Sequence, residues 1–159
     1  MIRLATSSAE ETAKAGYKLG SLLNPGDLVC LTGDLGTGKT AFTGGIAHAL
    51  GIEGYITSPT FTIVNEYMGK LPLYHFDAYR ICDADEMFEI GFEEYLDSRG
   101  VVVIEWAEQI NDILPENRVR VNIRKDLKTG PDVRIIEIHF DGPHYMQYEE
   151  SYGNENTGS

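Results

Sequence analysis

Basic residues are scarce in this chain of 159 residues: 13 Lys and Arg stand against 25 Asp and Glu, a formal net charge of -12. A protein that grips nucleic acid directly needs a positive field to displace counterions from phosphates, so direct nucleic-acid binding is not expected. The same charge disfavours an anionic membrane surface. Long apolar runs are missing too: none approaches the roughly 20 residues that span a bilayer. Met1 to Ala9 contain no apolar h-region, so neither a secretory signal nor a membrane location is expected. Cysteine is limited to Cys30 and Cys82, far apart in the chain. That gives no disulfide framework and no thiolate metal cluster, and two buried free thiols in a reducing cytoplasm are expected. Repeats and linker-like stretches are absent as well. With 42% hydrophobic and 24% charged residues, the chain reads as one ordered domain rather than a disordered one.

Residues 8–23 open with Ser8 and Glu11 in capping-box spacing and continue with apolar residues at Ala13, Tyr17, Leu19 and Leu22, which predicts a helix. After the turn Asn24-Pro25-Gly26, Asp27 to Thr32 is a short, nearly continuous apolar run, as in a strand covered on both faces. A second helix is expected over 41–50. Its Gly44-Gly45 pair would cost about 1 kcal/mol each against Ala unless close packing compensates. Phe61–Tyr67 and Leu71–Ala78 read as a hairpin around Gly69-Lys70. The acidic stretch 83–97 predicts a helix capped by Asp83 with Glu86, buried through Met87, Phe88 and Ile90 and broken at Gly91; its acidic face is either solvated or docks a basic partner surface. Val101 to Ile104 is a second fully buried strand, and Ala107 to Ile113 a short helix. Val119–Ile123 and Val133–Phe140 alternate like an antiparallel pair with one wet face. From Asp141 onward there is no Lys or Arg and little periodicity, so 141–159 is expected to fray as a flexible acidic tail behind a domain of residues 1–140.

The strongest motif is Gly33-Asp34-Leu35-Gly36-Thr37-Gly38-Lys39-Thr40, which matches G-x-x-x-x-G-K-[ST] and lies between a predicted strand and a predicted helix. Glycines let such a loop curl so that its N–H groups and the positive helix end face phosphate oxygens. Leu35 to Ala41 are therefore the candidate phosphate-binding residues, with Lys39 on the β- and γ-phosphates and the Thr40 hydroxyl on Mg²⁺. A glycine-rich turn alone would account for neither Lys39 nor Thr40. The base is read as adenine, because guanine recognition needs Asn-Lys-x-Asp and Asn122-Ile123-Arg124-Lys125-Asp126 has the wrong order.

The acidic partner of such a loop sits at the end of a buried neighbouring strand, and Glu105 after Val101–Ile104 is the candidate metal-side carboxylate. An ordinary strand-end carboxylate is the alternative. Trp106 is either core or packed near the nucleotide. Ser58-Pro59-Thr60-Phe61-Thr62 is either a γ-phosphate-sensing switch or a plain turn. His75, Asp77 and Tyr79 alternate, so on a strand they share one face; Asp77 is placed to bond metal-bound water or a partner, and His75 reads as structural. A small-molecule kinase would need an arginine-bearing lid. Arg118, Arg120, Arg124 and Arg134 all fall on the late hairpin, where a solvated strand face explains them equally.

Taken in order, GDLGTGKT, SPTFT, HFDAYR and IEW closely resemble the TsaE (formerly YjeE) family of bacterial P-loop ATPases in tRNA threonylcarbamoyladenosine biosynthesis, from about Ile2 to Phe140. The resemblance implies a single-domain α/β P-loop NTPase fold, a mixed central sheet with helices on both faces. It implies weak Mg²⁺-dependent ATP hydrolysis stimulated by TsaD and TsaB, whose complex this subunit would reset between turnovers. The modified base would be the adenosine beside the anticodon of ANN-reading tRNAs, with tRNA met only through that complex. Carried over by position, Lys39, Glu105 and Asp77 would be catalytic, Thr40 and Glu105 would hold the metal, and Thr60 would belong to the switch. Trp106 would match the family's tryptophan beside the glutamate. Thr6 to Ala9 and Arg134 are the nearest positions to its adenine pocket. The alternatives left open are a P-loop kinase and a non-hydrolysing sensor of ATP occupancy.

Overall fold

Leu28-Val29-Cys30-Leu31 and Val101-Val102-Val103-Ile104 are apolar at every position because both faces of their strands are covered. The computed structural model describes residues 1–34, 36–57, 59, 63–79, 81 and 84–155. Seven strands form one mixed sheet: β1 (Ile2–Thr6), β2 (Leu28–Thr32), β3 (Val64–Tyr67), β4 (Leu73–Asp77), β5 (Val101–Glu105), β6 (Arg118–Lys125) and β7 (Arg134–Asp141), in the order β1-β7-β6-β2-β5-β4-β3. The central strands β6, β2, β5 and β4 run parallel; β7 pairs antiparallel with β6, and the edge strands β1 and β3 pair antiparallel with β7 and β4. The helices are α1 (Ala9–Gly20), α2 (Lys39–Ala49), α3 (Ala84–Glu89), α4 (Phe92–Leu96) and α5 (Pro143–Glu155), with a 3-10 helix over Ala107–Ile113.

Strand periodicity sorts the core into two layers. Val29, Leu31, Val101 and Val103 pack with Leu19 of α1, Phe42 and Ile46 of α2 and the tyrosines of α5. Leu28, Cys30, Val102 and Ile104 pack on the other side with Met87 of α3, Phe92 of α4 and Ile110 of the 3-10 helix. The expected mixed sheet with helices on both faces is thus the observed architecture. Cys30 is buried, and burial pushes its thiol up to about 12, so it is inert; Cys82 lies outside the described residues.

α1 starts where the capping pattern places it, the Glu11 N–H donating to Ser8 Oγ at 3.1 Å. Its contact with α2 is close enough to exclude side chains: a Cβ on Gly16 would lie 2.0 Å from Phe42 O, and one on Gly45 would lie 1.9 Å from Ala13 O. A Cβ on Gly44 would meet nothing within 4 Å. Close packing therefore accounts for Gly45 and not for its neighbour.

The predicted hairpins are present as β3–β4 and β6–β7. The acidic segment divides at Gly91 into α3 and α4; Met87 is fully buried, but Phe88 is 45% exposed against expectation because the short α3 turns it outward. Asp83 lies outside the described residues.

Two elements were not expected. β1 pairs with β7 as an edge strand. The segment read as a fraying tail forms α5 instead, with Tyr145, Tyr148 and Tyr152 5%, 6% and 1% exposed. Their i, i+3, i+7 spacing puts three rings on one helical face, and that burial offsets the cost of ordering the segment. The 1–140 boundary therefore cuts off part of the core, and residues 156–159 lie outside the described residues. No helix among the described residues is long and apolar enough to cross a membrane.

Candidate functional site

β2 delivers the chain to Gly33 at the carboxyl end of the parallel strands, the usual ligand edge of such sheets. Gly33 has φ 145°, and a Cβ there would lie 2.3 Å from the carbonyl oxygen of Ile123 on β6, so only glycine fits. Gly38, at φ 110°, turns the chain into α2 from the left-handed region. Inside the loop the Thr37 hydroxyl donates to Asp34 O at 3.0 Å. From β7, Arg134 Nε donates to Thr37 O at 2.9 Å and Nη2 to Gly36 O at 3.4 Å, bracing the loop by its carbonyls. Arg134 thus lies against the outer arm of the glycine loop. The start of α1 lies close by, since a Cβ on Gly38 would sit 3.4 Å from Thr12 Cγ2, and Thr12 bonds Thr6 hydroxyl to hydroxyl at 2.7 Å.

Lys39 and Thr40 occupy the first turn of α2, with Ala41 half-buried after them. Lys39 Nζ donates to Gly33 O at 2.6 Å and to Asp34 O at 2.9 Å, and it lies 4.2 Å from the centre of the Trp106 ring. Burial lowers the pKa of Lys39, opposed by the nearby carboxylates of Glu105, Glu108, Asp77 and Asp34. Four carboxylates around one ammonium would repel a polyphosphate that came without its cation. Trp106 is the one non-glycine among the described residues with positive φ, at 60°; this backbone kink sets its indole over Lys39.

Glu105 ends β5 only 3% exposed. The Thr40 hydroxyl donates to its Oε1 at 3.5 Å, and its Oε2 lies 2.5 Å from Nε2 of the fully buried His75. The parallel register of β4 and β5 pairs Asp77 with Glu105 and His75 with Val103, placing Glu105, His75 and Asp77 on the α2 side of the sheet. Burial raises the pKa of Asp77, while the N–H of Tyr79, 2.9 Å from Oδ1, works to lower it. Tyr79 lies beyond the end of β4, where its ring meets Trp106 with centroids 4.8 Å apart.

The structure therefore brings Gly36, Thr37, Gly38, Lys39, Thr40, Ala41, Glu105, Asp77, Trp106 and Arg134 together. Leu35, Ser58 and Thr60–Thr62 lie outside the described residues, and Pro59 is buried. His75, read from the sequence as structural, lies on the face of Asp77 as the H-x-D spacing implies and meets Glu105. Glu108, whose pKa burial raises while the Lys39 charge works to lower it, had no sequence signal. Among the described residues no three His, Cys, Asp or Glu gather as a metal cluster. The donor set at the head of α2 is one hydroxyl and one carboxylate, which fits a hard cation that keeps most of its waters, such as Mg²⁺.

A family model described as threonylcarbamoyl adenosine biosynthesis protein TsaE matches residues 6–134. A Bacillus subtilis (strain 168) protein named tRNA threonylcarbamoyladenosine biosynthesis protein TsaE is 41% identical over 160 residues, covering 99% of this chain and 98% of its own. One of the same name from Treponema pallidum is 45% identical over 123 residues, 77% of this chain and 91% of its own. The crystal structure of Bacillus subtilis YdiB superposes with a TM-score of 0.81 at 36% identity, covering 98% of this chain and 95% of that one. The Bacillus alignment takes in α5, so the similarity does not stop at Phe140 as expected.

Proposed function

The chain belongs to the TsaE family of threonylcarbamoyl adenosine biosynthesis proteins, and from that membership we propose that it is an ATP-binding, ATP-hydrolysing component of tRNA threonylcarbamoyladenosine formation. One observation carries the reading: Lys39 and Thr40 open α2 behind a glycine loop, with the carboxylate of Glu105 directed at Thr40 from the neighbouring strand. The backbone N–H groups of Gly36 to Lys39 and the end of α2 hold the phosphate oxygens. Lys39 exchanges its carbonyl partners for the β- and γ-phosphates. Thr40 and Glu105 hold Mg²⁺, which when bound offsets the phosphate charge. Asp77 and Glu105 order water on that side of the site, and Trp106 shields the ammonium of Lys39 from solvent.

The acidic charge suits a subunit that leaves tRNA to others, and the partners of this reading are TsaB and TsaD, whose complex hydrolysis would reset. A kinase would need arginines closing over the transferred phosphate. Val119, Val121 and Ile123 face α2, so Arg118, Arg120 and Arg124 project from the opposite face of the sheet, where Arg120 pairs with Asp141. That arrangement favours transfer to water. The test is phosphate release with and without purified TsaB and TsaD. Slow release alone and faster release with both is expected, with Glu105→Gln lowering turnover more than affinity. Equal rates with and without the partners contradict the partner role, and phosphate appearing on a small acceptor instead of in water contradicts hydrolysis.

A further inference from the structure

The two oxygens of Glu105 have different surroundings. Oε1 faces the Thr40 hydroxyl at 3.5 Å, whereas Oε2 lies 2.5 Å from Nε2 of His75. His75 is 0% and Glu105 3% exposed, so bulk water does not compete for this contact. The His75 ring stands on β4, hydrogen-bonded along its length to the strand that carries Glu105, so both groups are set by the rigid centre of the sheet. Its other nitrogen, Nδ1, is buried with no hydrogen-bond partner among the described residues. A histidine with one orphaned nitrogen is a poorer core residue than a leucine or phenylalanine, because the unsatisfied polar atom is a net cost. What it has that those residues lack is the Nε2 donor aimed at Glu105.

We propose that His75 is a positioning residue that holds Oε2 of Glu105 and so keeps Oε1 presented on the Thr40 side, where the metal would sit, so that the site prefers Mg²⁺ to Ca²⁺. The proposal rests on the nucleotide reading above and adds to it the choice of ion. Mg²⁺ accepts single carboxylate oxygens in a tight octahedron and keeps its waters, whereas Ca²⁺ gains from carboxylates that swing to offer both oxygens. A carboxylate pinned by a buried ring cannot swing. Partners of this kind behind a metal ligand typically govern 10- to 100-fold of metal affinity.

The experiment is calorimetric titration of ATP into the full chain in EDTA, in Mg²⁺ and in Ca²⁺, for wild type, His75→Gln and His75→Asn. The glutamine amide nitrogen reaches the place of Nε2, while that of asparagine reaches only the place of Nδ1. Wild type and His75→Gln are expected to gain more affinity from Mg²⁺ than from Ca²⁺. His75→Asn is expected to keep its affinity in EDTA but to lose about 10-fold or more of the Mg²⁺ gain, with the Ca²⁺ gain held or increased. If the two variants behave alike, both retaining the Mg²⁺ preference or both losing it, the positioning role is overturned and His75 serves packing alone. If wild type itself gives no heat under any condition, the nucleotide reading falls and the proposal falls with it.

Discussion

Truncating Tyr152 to alanine tests whether the C-terminal segment is part of the core. The residue is 1% exposed, its hydroxyl donates to Ala15 O of α1 at 3.1 Å, and its ring lies 6.4 Å from that of Phe140 and beneath the Lys18 ammonium at 4.4 Å. Removing a buried aromatic ring of this kind costs roughly 3–5 kcal/mol, the sum of lost transfer energy and the cavity left behind. Losing the hydroxyl alone, as in Tyr152→Phe, costs about 0.5–1.5 kcal/mol. In a domain of this length each kcal/mol moves Tm by about 2–4 °C, so the alanine variant should melt roughly 6–20 °C lower. The assay is denaturant unfolding followed by circular dichroism, with the slope unchanged and the midpoint lowered in the order wild type, Tyr152→Phe, Tyr152→Ala. A Tyr152→Ala variant within about 0.5 kcal/mol of wild type, the range of surface substitutions, would refute the docking of α5.

Two further substitutions separate packing from propensity and charge. Gly44→Ala should stabilise the protein by about 0.5–1 kcal/mol through helix propensity, because its Cβ meets nothing. Gly45→Ala, whose Cβ would run into Ala13 O, should destabilise by about 1–3 kcal/mol or more; equal melting temperatures for the two would contradict the helix contact. Asp77 has its pKa raised by burial, so its ionised form opposes folding above that folded-state pKa, and the penalty fades as the pH falls toward the unfolded value of about 3.9. Asp77→Asn should therefore be more stable than wild type at pH 7 and lose that advantage near pH 4. An advantage independent of pH would count against the burial argument.

The parts of the fold that were legible in the residues are those where the core imposes a pattern. β2 and β5 are covered on both faces and therefore read as unbroken apolar runs, and β6 and β7 alternate because one face is wet. The glycine loop was legible because its backbone turns at Gly33 and Gly38 admit few residues other than glycine, and because the loop lies between a buried strand and a helix. β1 was not legible: five residues at an edge, with an arginine and a threonine among them, carry too short an alternation. α5 was hidden because its buried face is built from tyrosines among polar residues, and a tyrosine counts weakly as apolar until the position that receives its hydroxyl is known. In the site, Glu105 and Asp77 followed from strand ends and period. The contact of His75 with Glu105 depends on the parallel register of β4 with β5, which no local pattern encodes. The kink at Trp106 that sets its ring over Lys39 had no local signal either.

The most direct test of the central claim is titration of MgATP into wild-type protein and into Lys39→Ala. One nucleotide per chain is expected for wild type. The variant is expected to bind roughly 10- to 100-fold more weakly, as follows from losing a hydrogen bond from a charged group worth about 1.5–3 kcal/mol. Identical binding by the two proteins, or no binding by wild type, would contradict capture of a triphosphate by the loop between β2 and α2.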